Sequence, residues 1–115
     1  YNSKTSPSVM IMSRQVLPVV SDKVEDLKNK VSKGAYIVSK EEKQIDGILI
    51  ACGSEVSLAL DAKELLKAKG YDIRVVSMPC NRLFDEQSAE YKESILYIAW
   101  FQLSPSYGTC TCQQR

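Results

Sequence analysis

Between Gly47 and Met78 the sequence switches from a run of β-formers to a helical period and back again, which constrains the fold more than any other feature. Ile48-Leu49-Ile50-Ala51-Cys52 is followed by Gly53-Ser54, a long helical stretch from Glu55 to Lys69, then Gly70 and Ile73-Arg74-Val75-Val76-Ser77-Met78. A strand, a helix and a second strand within about 30 residues form a β-α-β unit, and the connection is too long for a hairpin. Val56, Ala59, Leu60 and Leu66, joined by Ala62 and Leu65, are predicted to face inward. Lys63, Glu64, Lys67 and Lys69 supply the wet side, and Gly70 ends the helix. Parallel strands need both faces covered, so the fold class is α/β: a partial three-layer sandwich with a mostly parallel sheet.

Other elements are predicted around this unit. Ser8 to Ser13 is a nearly continuous apolar run between Pro7 and Pro18, as expected of a strand buried on both faces and ending at Arg14. Ser21 fits a helix N-cap, with Val24, Leu27 and Val31 at helical spacing before Gly34. Ala35-Tyr36-Ile37-Val38 reads as a strand, and Lys40-Glu41-Glu42-Lys43 as a solvated connection. Asn81 to Gln87 reads as a turn, and Ser88 as the cap of a helix that carries Tyr91, Ile95 and Leu96 inward.

Charge and residue usage exclude several functions. Fifteen basic and fourteen acidic residues are interspersed and sum to +1, so no field draws nucleic acid or an anionic membrane. No run approaches the roughly 20 apolar residues of a membrane span, and Tyr1 to Thr5 has no secretory character, so a cytoplasmic location is expected. With no histidine in the chain, the commonest general base and metal ligand is missing. Cys52 and Cys80 read as buried free thiols, and Cys110 and Cys112 cannot complete a four-ligand zinc site alone.

Two positions bear on ligand binding. Gly53-Ser54 opens a helix after a strand, where backbone amides can cradle phosphate, but there is one glycine and Glu55 opposes an anion. Ser54 as N-cap with Glu55 on the helix dipole accounts for the turn. Arg14 follows an apolar run, at the end of a strand where ligands of open α/β sheets collect. Its guanidinium suits either paired hydrogen bonds to a phosphate or an ion pair with another loop.

Several segments together resemble transketolase. Met12-Ser13-Arg14-Gln15 with Leu17-Pro18 is similar to the end of that family's middle, pyrimidine-binding domain. Gly34-Ala35-Tyr36-Ile37-Val38 resembles the entry to its C-terminal domain, and Ala51-Cys52-Gly53-Ser54-Glu55-Val56 its Ala-Thr-Gly-Ser-Glu-Val. Arg74 to Pro79, Phe84-Asp85-Glu86-Gln87 and Tyr91 to Leu96 follow in matching order. Deoxyxylulose phosphate synthase and the 2-oxoacid dehydrogenase β-subunit share the domain plan, but Ser-Arg-Gln with Phe-Asp-x-Gln favours transketolase.

The resemblance covers residues 3–96 and divides the chain into the end of the middle domain and a linker (1–20) and the first part of an incomplete C-terminal domain (21–96). Residues 97–115 carry no charge before Arg115, depart from the family, and read as the product of a slipped reading frame. The resemblance implies a homodimeric enzyme that transfers a two-carbon ketol unit between sugar phosphates, using thiamine diphosphate and a divalent metal (magnesium or calcium). Arg14 then corresponds to the arginine that grips the sugar phosphate. No other site residue carries over, since the family's cofactor motif, catalytic glutamate and histidines have no counterpart in the sequence. The isolated chain is therefore expected to bind no cofactor and to be inactive, with exposed apolar surface that promotes association. The alternative from the residues alone is a stand-alone, non-catalytic α/β module for dimerisation or regulation.

Overall fold

The computed structural model describes residue 7 and residues 9–12, 14–19 and 24–97. Within these, seven elements follow one another: α1 (Val24–Val31), β1 (Tyr36–Ser39), β2 (Gly47–Ala51), α2 (Glu55–Ala68), β3 (Ile73–Ser77), α3 (Asn81–Asp85) and α4 (Ala89–Leu96). The strands form one sheet in the order β1-β3-β2. β2 and β3 pair in parallel from Gly47↔Ile73 to Ala51↔Ser77, the arrangement the helical crossover requires. β1 runs antiparallel to β3, with its register broken between Ile37 and Ser39, so the described sheet is mixed.

β3 is central and every one of its residues is buried, Val75 and Val76 completely. Successive side chains on a strand point to opposite faces, so these two valines serve two cores. Val76 packs with Ala35, Phe84 and Ile95, joined by Ile37, Ile48, Met78, Tyr91 and Leu96. On the opposite face lies α2, which contacts β2 and β3. Helices on both faces of the sheet make the three layers predicted from the sequence.

The helix ends follow from local chemistry. α2 closes in a Schellman motif: Tyr71 N–H donates to Leu66 O at 3.1 Å and Gly70 N–H to Lys67 O at 3.0 Å. Gly70 takes φ +91°, which glycine adopts without strain. Ser88 caps α4 as expected, its Oγ accepting from Tyr91 N–H at 3.3 Å. Ser54 does not cap α2. Its own backbone is helical and its side chain makes no cap bond, so the helical conformation already begins there.

Four further expectations are corrected. The apolar run before Arg14 forms no strand: Val9, Met10, Ile11 and Met12 are 78–93% exposed, because no strand pairs with them among the described residues. Asn81 to Asp85 is a short helix rather than a turn, and burial of Phe84 fixes it against the sheet. Leu65 is 71% exposed, since nine positions after Val56 it falls on the far side of α2. Cys52 is exposed and Cys80 half-buried rather than both buried, although both are free thiols. Cys52 lies past the end of β2, where the sheet no longer covers it. Ser21, Cys110, Cys112 and the tail from Ile98 onward lie outside the described residues.

Gly34 holds the joint between α1 and β1. It is buried at φ +86°, and a Cβ there would lie 2.3 Å from Phe84 N and 2.4 Å from Cys80 O. Its carbonyl accepts from Cys80 N–H at 3.1 Å. The backbone at the start of α3 therefore approaches to a distance only glycine permits.

Candidate functional site

Arg14, the one site residue expected from the sequence, lies at a bend with Gln15 in an exposed stretch without regular structure. No buried strand aims it, because the run preceding it is itself exposed. Among the described residues no group of three or more His, Cys, Asp or Glu side chains is arranged to hold a metal ion.

The organised polar chemistry lies elsewhere, around Arg74. This residue is the second of β3 and is 5% exposed. It shares a sheet face with Val76 by alternation and points toward the α3–α4 layer. Its Nε donates to Glu41 Oε2 at 2.7 Å and its Nη2 to Glu41 Oε1 at 2.5 Å, a paired fork on one carboxylate. Its Nη1 donates to Ser94 O at 2.8 Å and Ile95 O at 2.9 Å, carbonyls of the last turn of α4. The cation thus meets both a carboxylate and the negative end of a helix. The guanidinium holds the Glu41 carboxyl down at about 2, well below its ordinary 4.5, against the opposing effect of burial. The Arg74 pKa is raised in turn, chiefly by the hydrogen bonds to Glu41.

The connection between β1 and β2 is pinned rather than merely solvated. Asp72 Oδ2 accepts from Glu42 N–H at 2.7 Å and also from Lys43 N–H. Asp72 N–H donates to Asp46 Oδ2 at 2.7 Å while Asp46 N–H donates to Asp72 O at 2.8 Å. Lys63, expected on the wet side of α2, is 5% exposed and donates to Ser39 Oγ at 2.8 Å and Lys40 O at 2.6 Å. Its position was readable: Val56, Ala59, Leu60 and Lys63 stand at i, i+3, i+4 and i+7. Arg74 carried a signal too, since a charge inside a buried β-run requires a counter-ion. On the other side of β1, Tyr91 Oη donates to Ala35 O at 2.8 Å, and Lys33 Nζ sits 4.5 Å from the Tyr91 ring centroid. Among the described residues no buried side-chain nitrogen or oxygen lacks a partner. This cluster is built to hold the fold together.

A parallel β-α-β crossover with a third, antiparallel strand and helices on both faces defines a three-layer α/β domain. The family described as "Transketolase-like TK C-terminal domain" matches residues 34–104, beginning at the constrained Gly34. Transketolase from Streptococcus pyogenes is 53% identical over 93 residues, covering 81% of this chain and 13% of the relative. Transketolase from Staphylococcus epidermidis is 45% identical over 94 residues, covering 82% and 14%. Among solved structures, a transketolase from Pichia stipitis in complex with sedoheptulose 7-phosphate has a TM-score of 0.55 and 46% identity, covering 58% of this chain and 10% of that one. The chain belongs to the transketolase family. It spans only 13–14% of the length of the two curated relatives.

Proposed function

We propose that this chain forms part of a transketolase, namely the end of its middle domain and the first part of its C-terminal domain. The whole enzyme, a cytoplasmic homodimer, moves a two-carbon ketol unit between sugar phosphates. The observation that carries this reading is the 53% identity over 93 residues with the Streptococcus pyogenes enzyme. The sedoheptulose 7-phosphate bound to the Pichia stipitis relative supports a sugar phosphate as substrate.

Within that enzyme, thiamine diphosphate and a divalent metal supply the ketol-carrying chemistry. The described residues of this chain do not fit either group. They contain no metal-binding cluster, and their two buried cations are committed within the fold, Arg74 to Glu41 and α4 and Lys63 to Ser39 and Lys40. The contribution proposed for this chain is substrate contact and scaffold. Arg14, exposed at its bend, binds the substrate phosphate through paired hydrogen bonds.

The test is a chimera in which residues 3–96 of this chain replace the matched stretch of the Streptococcus pyogenes enzyme. It is expected to retain ketol transfer. Arg14→Ala in the chimera should raise KM for the sugar-phosphate acceptor about 10- to 100-fold, the worth of a charged hydrogen-bond pair. A folded chimera without ketol transfer would contradict the family role, and an unchanged KM would remove Arg14 from the phosphate site.

A further inference from the structure

We infer that the Glu41–Arg74 pair is a conformational latch that couples the β1–β2 connection to the end of α4, so that a loop residue sets how the chain leaves that helix. The coupling rests on one side chain serving two elements. The guanidinium spends its Nε and Nη2 on Glu41 and its Nη1 on Ser94 O and Ile95 O. Both partners are shielded from water, the side chains of Arg74 and Glu41 being 6% and 13% exposed. The two carbonyls lie in the last turn of α4, where acceptors have no partner within the helix. Tyr97 follows at once in the left-handed region, at φ 49°, its N–H donating to Glu93 O at 2.7 Å. The exit from the helix is thus set within one turn of the groups Arg74 holds.

The other ties of the 40–46 stretch do not reach α4. Lys63 on α2 holds Lys40 O, Lys67 on α2 pairs with Glu42 at 2.6 Å, and Asp72 holds the amides of Glu42 and Lys43. Among the described residues, Arg74 is the side chain that hydrogen-bonds both this stretch and the last turn of α4. Lys40, Lys43 and Tyr97 are the other titratable groups around the pair, and none of them bridges to the α4 carbonyls in its place. Without Glu41, the guanidinium is a buried cation with no counter-charge, and moving toward solvent releases Ser94 O and Ile95 O.

Residue-resolved hydrogen exchange on the full 115-residue chain tests the latch. In Glu41→Gln the amides of the last turn of α4 and of Tyr97 should exchange about 10-fold faster or more, while the β2–β3 ladder changes less than about 3-fold. Acceleration of equal size in every element, or none at α4, would overturn the proposal. If Glu41→Gln does not fold, Glu41→Asp keeps the charge but shortens the reach, and the same unequal pattern is expected there. Uniform acceleration in Glu41→Asp would overturn the latch equally.

Discussion

Two apolar stretches of similar composition behave oppositely in this molecule. Ile73 to Ser77 carries an arginine at its second position yet is buried at every residue, whereas Val9-Met10-Ile11-Met12 has no charge and stands 78–93% exposed. Burial follows from neighbours rather than from hydrophobicity alone. β3 has strands on both edges and helices over both faces, and its arginine is offset by Glu41 and two helix carbonyls. The 9–12 run has no strand beside it among the described residues, so its apolar surface remains open to whatever can pair with it.

The contrast can be broken most severely at Gly34, where the buried unit relies on close backbone approach. Gly34→Val places a Cβ against Phe84 N and Cys80 O at a positive φ, and should cost about 4 kcal/mol or more, measured by denaturant unfolding. A loss below about 1 kcal/mol would mean that the α1–β1 joint is not where the buried unit is fixed.

Acid tests the charged centre of the buried unit. Glu41 has its pKa depressed from 4.5 to about 2 in the folded chain, so its contribution is complete above pH 4.5 and is lost as pH falls toward 2. Stability should therefore decline across that window, and Glu41→Gln should flatten the decline. An acid limb of the same slope in the variant would assign the loss to other carboxyls.

The smallest effect is expected in the exposed stretch. Ile11→Ser should change unfolding stability by less than about 0.5 kcal/mol, because Ile11 is 93% exposed and buries nothing. It should also reduce self-association in light scattering, since it removes open apolar surface. A loss of 2 kcal/mol or so would show that the run packs as a core strand and would erase the contrast.

The β-α-β unit was legible because its signals agree: β-formers, a glycine, a helical period, a terminal glycine and β-formers again. The observed β2, α2 and β3 fall within the predicted stretches. The charged centre was not legible in the same way. Lys40 to Lys43 has the composition of a solvated turn, and a local pattern cannot reveal that Glu41 meets an arginine 33 positions later. The signal lay at the other partner, since Arg74 inside a buried run requires an anion, but the sequence does not say which one. α3 was hidden because only five residues long; the packing of Phe84 stabilises it more than helical propensity does. At Arg14 the residue type and its surrounding motif were readable, while the strand expected to aim it does not form among the described residues.

The most direct test of the central claim, that this chain is a scaffold and substrate-contact part of a transketolase rather than a self-sufficient catalyst, is a ketol-transfer assay of the isolated 115-residue chain with thiamine diphosphate, magnesium and a sugar-phosphate pair. No turnover above the uncatalysed background is expected, with activity appearing only when residues 3–96 are placed in a complete enzyme. Turnover by the isolated chain would contradict that claim.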